Sequence, residues 1–368
     1  MNANLQQSPS AEAGYCGYMQ RLAALDNARA TLLLLGVLFH ASVFVYLYQK
    51  PESLGEFLLV VFTHQFLHVF RMPAFFVIAG FFAAYLLQTR GPNKFFQNRL
   101  QRIALPLAIF WIPLTFANAW ASQGAWLTSR STFDVLPIDF AHLWFLYFLI
   151  LYCAIFWVFS APLRKLLTKR VSPHAFLLLL AAAFPLIPGV FDQEGTLATS
   201  TRLFPDPGLL LLYFLIFLSG AIAFNQQERW LTFLKRRAVL LVALLLLSFG
   251  AFFVIQDWGI AVTPWIYAAS VVSGTYGVLG LFLRFATKQN KVFKFVSDAS
   301  YWIYLVHLPL VFFFLIFLST LGFGALPVIL LTTISTIGIG VLSYKLLVRH
   351  TPVSLLLNGR IHPLRQHP

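Results

Sequence analysis

The amino-acid sequence predicts an all-α, polytopic membrane protein with about ten transmembrane helices and with both termini in the cytoplasm. Composition is the first reason: 59% of the 368 residues are hydrophobic and only 10% are charged, whereas soluble domains carry about 25% charged residues. The second reason is that apolar residues form runs of spanning length. The third is that basic residues alternate between successive connecting segments. A lipid bilayer is therefore a predicted partner of the chain.

Ten apolar runs are long enough to span the hydrocarbon core of a bilayer. Pro185 and Pro188 interrupt the run at 174–191, and the run at 57–88 is too long to cross upright without a tilt or a kink. We predict a membrane domain over 22–348, flanked by cytoplasmic tails at 1–21 and 349–368. The runs are 30–48, 57–88, 103–121, 141–160, 174–191, 208–224, 238–255, 262–283, 299–319 and 325–347.

Basic residues set the predicted orientation, because short cytoplasmic loops retain Lys and Arg during insertion. With the N-terminus inside, most of the 26 basic residues fall on the cytoplasmic side. Only Lys50, Arg130 and Arg202 fall outside, and Arg29 and Arg71 lie within spans. The net charge of +14 is thus explained mainly by topology, and we predict no nucleic-acid partner.

The first span lies in DNARATLLLLGVLFHAS and carries Arg29 and, eleven residues later, His40. Eleven residues are about three helical turns and ~16 Å of rise, so both side chains share one face at different depths. Asp26 is on the same face, and we predict a structural ion pair between Asp26 and Arg29. Ionisable groups inside a span normally face a cavity or a partner. We predict that this helix lines a site. The alternative is that the ion pair at one end and a hydrogen-bonded histidine at the other have structural roles only.

The second span contains HQFLHVFRMP, in which His64, His68 and Arg71 follow one helical face at i, i+4 and i+7. Pro73 removes a backbone donor two residues later and is expected to kink the helix, which is tolerated at membrane depth only where the freed carbonyl is buried in protein or faces water. This pattern indicates a cavity; the alternative is hydrogen bonding between packed helices. Histidines at this spacing can bind zinc, but no carboxylate or thiolate accompanies them in this helix, so we predict no metal site.

Two later segments also carry polar groups inside apolar runs. AHLWFLYFL places His142 and Trp144 at the start of a span, as part of a site or as an aromatic anchor at the membrane interface. SDASYWIYLVHLPL spaces Tyr301, Tyr304 and His307 at i, i+3 and i+6. A hydroxyl beside an imidazole is either a proton relay or a pair of polar side chains that satisfy one another.

The predicted topology separates these groups by depth. His40, His64, His68 and His142 are expected in the outer half of the bilayer, whereas Arg29 lies towards the cytoplasm together with Asp26. The site therefore has an outer end rich in imidazole and an inner end rich in arginine. Such polarity suits a tunnel that takes an anionic donor from the cytoplasm and presents its reactive end on the other side.

The four segments occur in an order that resembles the acyltransferase-3 superfamily of integral membrane O-acyltransferases, and within it the osmoregulated periplasmic glucan succinyltransferases. The similarity extends from residue 26 to about residue 347 and lies in DNARATLLLLGVLFHAS, HVFRMPAFFVIAGFF, HLWFL and DASYWIYLVHLPL. It implies a multi-pass protein of the bacterial inner membrane. It also implies transfer of an acyl group from cytoplasmic acyl-coenzyme A to a hydroxyl of a periplasmic glycan.

The resemblance further implies roles for individual residues. His40 corresponds to the catalytic histidine and Arg29 to the arginine of the family motif, engaged with the donor. Six further residues in or beside these segments are candidate substrate-binding groups. Acyl-coenzyme A is a co-substrate, with succinyl favoured and acetyl as the alternative, and no permanently bound cofactor is implied. The candidate substrate-binding residues are Arg71, His68, His64, Trp144, Tyr304 and His307.

The chemistry of ester formation agrees with this assignment. A base must take the hydroxyl proton, and histidine titrates near neutral pH. No GxSxG nucleophile elbow is recognisable, which favours direct attack on the thioester, although a histidine-bound acyl intermediate is also consistent with the sequence. Intramembrane His and Arg also form proton relays, so the runner-up is a proton-coupled transporter of a small anionic metabolite or a lipid-linked sugar. A non-catalytic assembly subunit is a third hypothesis, and the sequence does not indicate the oligomeric state.

Overall fold

The structure, a computed structural model, describes residues 9–49, 51, 53–123, 140–288 and 291–361, with side chains from residue 23 onward. These residues form helices and contain no strand beyond an isolated bridge between Phe191 and Leu197. The segment between the predicted spans 103–121 and 141–160, with Arg130, lies almost entirely outside the described residues, as does Lys50. The helices are α1 (Pro9–Tyr48), α2 (Leu54–Arg90), α3 (Pro92–Arg99), α4 (Leu105–Gln123), α5 (Trp144–Val158), α6 (Ser160–Thr168), α7 (Pro173–Ala183), α8 (Pro207–Asn225), α9 (Gln227–Ile255), α10 (Thr263–Phe285), α11 (Lys291–Thr320), α12 (Ala325–Ser343) and α13 (Pro352–Asn358).

Nine helical segments among the described residues are long and apolar enough to cross a membrane. The predicted all-α polytopic fold is confirmed. The count reaches ten only if α6 and α7, which are bent by 117° from each other, form one broken span. The run at 174–191 is not a straight helix because α7 gives way at Phe184 to a single 3₁₀ turn that contains Pro185. At eleven residues, α7 is about 16 Å long and covers about half of the hydrocarbon core.

Helical structure also extends into the two predicted tails. Helix α1 begins at Pro9, within the first of these segments, and α13 lies beyond residue 348, within the second. Short π-helical segments, Leu100–Ala104 and Tyr344–Val348, precede α4 and follow α12. The cytoplasmic location of both termini stays a prediction.

Helix α2 is the central element of the bundle and runs through Pro73 without a break. It starts at Ser53, whose hydroxyl oxygen accepts a hydrogen bond from the Glu56 backbone N–H at 3.1 Å, as expected of an N-cap serine. It packs against α1, α8 and α10. Most side chains from Val60 to Leu87 are buried, so the neighbouring helices pack around α2 along most of its length.

Two glycines allow the close approach of α2 and α8. A Cβ atom at Gly80 would overlap the carbonyl oxygen of Phe217, and a Cβ atom at Gly220 would overlap that of Val77. Small residues at helix crossings are typical of membrane bundles, where van der Waals packing drives association. Their reciprocal positions fix how α2 lies against α8.

We predict that Gly220→Ala destabilises the protein by about 1–3 kcal/mol, because the added methyl group must push two helix backbones apart. The measurement is the unfolding midpoint of the purified protein in detergent. Gly250→Ala is the matched control, since a Cβ atom at this position of α9 meets nothing within 4 Å and alanine has the higher helix propensity. Equal midpoints for the two variants would contradict the prediction.

Candidate active site

A cavity of about 530 Å³ lies among α1, α2, α5 and α11. One end is lined by Arg29, Arg99, Arg102 and Arg360 and is called the arginine mouth below. The other end is lined by four histidines and is called the imidazole end. It contains His40, His68, His142 and His307.

Helix α1 links the two ends, because Arg29 and His40 both face the cavity at different depths. Asp26 is ion-paired with Arg29 at 3.1 Å and is not part of the cavity lining. The other candidate residues that line the cavity are His68, Arg71, Trp144, Tyr304 and His307.

His64 is the one candidate substrate-binding residue that does not line the cavity. Its Nδ1 lies 3.1 Å from the Val60 carbonyl oxygen, one turn earlier in α2. Its ring packs against Tyr46, with 5.0 Å between the ring centroids. The structure therefore separates His64 from His68, although the two share a helical face in sequence.

Three of the four histidines of the imidazole end form a chain of neighbouring rings. The ring centroid of His307 lies 5.1 Å from that of His40 and 5.0 Å from that of His142. His142 and His307 are buried, whereas His40 is half-buried. The sequence left His142 as either part of a site or an anchor at the membrane interface. It enters the site because the turn before α5 packs against α11.

Backbone carbonyl groups fix the tautomers of these rings. His307 Nδ1 lies 2.7 Å from the Tyr304 carbonyl oxygen, and His142 Nε2 lies 3.0 Å from the Leu305 carbonyl oxygen. A carbonyl oxygen only accepts hydrogen bonds, so each of these nitrogens carries the hydrogen and the other nitrogen of the neutral ring carries a lone pair. Both of those second nitrogens are buried and have no hydrogen-bond partner among the described residues.

The same arrangement holds for His68. Its Nε2 donates to the Leu197 carbonyl oxygen at 2.6 Å, and its Nδ1 is buried without a partner in the part of the chain that the structure describes. Leu197 belongs to the loop between α7 and α8, and its own N–H donates to the Tyr267 hydroxyl at 3.1 Å. The imidazole end thus presents several hydrogen-bond acceptors, as a site for hydroxyl groups requires.

The Tyr304 hydroxyl does not hydrogen-bond to the His307 ring, although the centroids of the two rings lie 6.1 Å apart. The Tyr304 hydroxyl donates instead to the backbone carbonyl of His142 at 2.8 Å. Ala141, just before His142, has a φ of 43°, which is rare for a residue with a Cβ atom. The hydrogen bond from the Tyr304 hydroxyl to the His142 carbonyl and the one from His142 Nε2 to the Leu305 carbonyl hold this strained turn in place. Backbone strain of this kind tends to occur at functional sites.

Arg71 lies between the two ends of the cavity. Its guanidinium carbon lies 4.6 Å from the ring centroid of Phe39, a cation–π contact. Gly36 provides the space, because a Cβ atom there would come within 3.0 Å of Arg71 Nη1. The residue is buried, and among the described residues no carboxylate pairs with it. A buried cation without a partner is unstable, so Arg71 is suited to bind an anionic ligand.

The arginine mouth carries excess positive charge. Arg29 donates to the Ser297 hydroxyl at 3.4 Å and pairs with Asp26. Asp298 is the only carboxylate among the described residues that line the cavity, and it pairs with Arg360 at 2.7 Å. Arg99 and Arg102 therefore add uncompensated charge.

Sequence reasoning assigned Arg99, Arg102 and Arg360 to membrane topology alone and missed their place in the site. The available signal was the i, i+3 spacing of Arg99 and Arg102 directly before a span, which puts both on one helical face. Metal ligands are a separate question: in the described ranges, no three His, Cys, Asp or Glu side chains are grouped as ligands. The absence of a metal site stays a prediction.

Comparison with known proteins assigns the chain to a family. The model of the acyltransferase-3 family, described as an acyltransferase domain, matches residues 22–345. The chain belongs to this family. It is therefore a membrane acyltransferase, and the resemblance inferred from the four segments is confirmed. Family membership favours the enzyme over the transporter and the assembly subunit.

Named relatives agree with this assignment. Glucans biosynthesis protein C of Escherichia coli strain K12 is 26% identical over 382 residues, which cover 93% of this chain and 95% of the relative. The protein of the same name from Escherichia coli O139:H28 has the same identity and coverage. No solved structure matches the chain.

Proposed function

We propose that the protein transfers an acyl group, preferably succinyl, from cytoplasmic acyl-coenzyme A to a hydroxyl of a glycan outside the bacterial inner membrane. The observation that carries this proposal is one cavity with arginines at one end and His40 at the other. Arg29 and His40 are separated by about 16 Å along α1. A donor that enters at the arginine mouth therefore brings its acyl group to the histidine only if it is long and extended.

Charge supports coenzyme A as the donor. The distribution of Lys and Arg predicts that the arginine mouth faces the cytoplasm, where acyl-coenzyme A is made. Its phosphate groups are anions that guanidinium groups bind well. Arg29, Arg99 and Arg102 are the candidate phosphate-binding residues.

The reaction forms one ester bond and breaks one thioester bond. The acceptor hydroxyl oxygen attacks the thioester carbonyl carbon while His40 takes the hydroxyl proton. The carbon–sulfur bond then breaks, the thiolate leaves, and the proton passes from His40 to the sulfur. The products are an ester and free coenzyme A. His40 suits this role because no described residue hydrogen-bonds to either of its ring nitrogens.

Arg71 supports succinyl as the acyl group. A succinyl group carries a free carboxylate, whereas an acetyl group carries none. That carboxylate would pair with the guanidinium of Arg71, which has no carboxylate partner among the described residues. The acceptors of the imidazole end are suited to orient the hydroxyl groups of a sugar. Because the relatives are named for glucan biosynthesis, we propose a periplasmic glucan as the acceptor.

We predict that His40→Ala reduces acyl transfer about 10²–10⁴-fold, because the reaction loses its general base. The measurement is ester formation by purified protein with labelled succinyl-coenzyme A and periplasmic glucan, checked by the mass increment on the glycan. His64→Ala is the matched control, since this histidine of α2 lies outside the cavity. Normal transfer by a folded His40→Ala variant would refute the proposed base.

We predict that Arg71→Gln lowers succinyl transfer roughly 10–100-fold and lowers acetyl transfer much less, because a hydrogen-bonded ion pair is lost only with the succinyl donor. The measurement is the ratio of kcat/KM for succinyl- and acetyl-coenzyme A. An equal loss with both donors would contradict a carboxylate-binding role and would indicate instead that Arg71 stabilises the oxyanion common to both reactions.

A further inference from the structure

The segment at the C-terminal end of the described chain reaches the arginine mouth. Helix α13 (Pro352–Asn358) lies beyond residue 345, where the match to the acyltransferase-3 family ends. The cavity lining nevertheless includes Leu357, Asn358, Gly359 and Arg360. We call residues 351–360 the C-terminal strap. It forms a wall of the mouth that the family match does not include.

Hydrogen bonds hold the strap against α11 and the end of α12. Arg360 donates to both carboxylate oxygens of Asp298, at 2.7 Å each. Asn358 Nδ2 donates to the Asp298 backbone carbonyl and to the Tyr344 hydroxyl, each at 3.0 Å. Within the strap, the Ser354 hydroxyl donates to the Arg360 carbonyl at 2.9 Å. These bonds converge on Asp298, which itself lines the cavity next to Ser297.

Gly359 brings the strap into contact with Arg102. Its φ is 69°, a conformation that residues with a Cβ atom rarely adopt. The Arg102 guanidinium occupies the position that a Cβ atom of Gly359 would take. Only glycine therefore allows this guanidinium to lie directly on the strap backbone. A Cβ atom at position 359 would therefore displace the guanidinium of Arg102.

The Arg102 guanidinium has no other fixed partner in the described part of the chain. The backbone carbonyl of Arg102 accepts a hydrogen bond from the Tyr301 hydroxyl at 2.9 Å. Its side chain makes no hydrogen bond or ion pair with described residues. A guanidinium that keeps its donors free at the mouth of a cavity is suited to bind phosphate.

We infer that the C-terminal strap is part of the donor-binding site: it positions the Arg102 guanidinium at the mouth for a phosphate group of the acyl donor. This inference rests on the proposed function, because it requires the donor to enter at the arginine mouth. Arg102 is the binding residue, and Gly359, Arg360 and Asp298 are positioning residues. An anionic phospholipid headgroup presents the same chemistry, so the experiment must separate the two sources of phosphate.

The first test compares Gly359→Ala with Gly322→Ala. Both glycines have positive φ, 69° and 78°, but a Cβ atom at Gly322, in the turn between α11 and α12, meets nothing within 4 Å. Each variant thus carries the strain of a positive φ, and only Gly359→Ala displaces Arg102. The measurements are the Kd of coenzyme A for the full chain in phospholipid-free detergent and the KM and kcat with succinyl-coenzyme A.

We expect Gly359→Ala to raise the Kd and the KM about tenfold, the effect of one lost charge-assisted hydrogen bond. Its kcat should stay close to that of the wild type, because His40 is untouched. Gly322→Ala should match the wild type in Kd and KM. Equal Kd values for the two variants would overturn the inference.

The second test compares the Kd of coenzyme A for two variants that change the charge of the mouth in opposite directions. Arg360→Gln removes a positive charge from the mouth, and Asp298→Asn removes a negative one. If the Arg360 to Asp298 pair positions the strap, both variants raise the Kd of coenzyme A. If the two residues act only through net charge, Arg360→Gln weakens binding and Asp298→Asn tightens it, which would overturn the positioning role.

The remaining outcomes separate the inference from the proposed function. If the wild type neither binds coenzyme A nor transfers its acyl group, the proposed function fails and the inference fails with it. If the wild type does both and Gly359→Ala behaves as Gly322→Ala does, the inference alone fails. Phosphatidylglycerol added to the detergent should not displace coenzyme A. Displacement that Gly359→Ala abolishes would assign the mouth to lipid headgroups and overturn the inference.

Discussion

The uncompensated charge of Arg71 is the constraint on which the site depends. Removing a guanidinium from water is costly, and an opposite charge usually offsets that cost. Among the described residues, the structure offers Arg71 the face of Phe39 and the space beside Gly36 but no carboxylate. Such a group is stable only beside water or an anionic ligand, so the helices around it must leave a cavity open. The buried charge of Arg71 thus requires that the cavity stay open.

Backbone carbonyls, rather than carboxylates, orient the imidazole end. The N–H groups of His68, His142 and His307 are committed to the carbonyl oxygens of Leu197, Leu305 and Tyr304. A carboxylate partner would favour a charged imidazolium, whereas a carbonyl partner defines a neutral tautomer and leaves one lone pair on each ring. This arrangement of hydrogen bonds suits a site that must accept protons and orient hydroxyl groups without adding further charge inside the membrane.

The sequence predicts those features that follow from helical periodicity. Arg29 and His40 lie on one helix, so their common face and their separation in depth could be predicted, and both line the cavity. The bond from Tyr304 to the carbonyl of His142 joins residues 162 positions apart, and no local pattern encodes it. The contact of Arg102 with Gly359 is equally remote in sequence, which is why Arg102 was counted only as a topological charge. The sequence grouped His64 with His68 because both lie on one helical face, but a shared helical face does not ensure a shared environment.

Helix α2 is longer than the membrane it crosses. Its 37 residues extend over about 55 Å, whereas the hydrocarbon core is about 30 Å thick and the bilayer with its headgroups about 40–45 Å. The helix must therefore tilt or project into water, and its first turns expose apolar side chains such as Leu58 and Leu59. Bilayer thickness influences the tilt of such a helix. The acyl-chain length of the host's phospholipids thereby becomes one of the determinants of the tilt of α2 and of the helices packed against it.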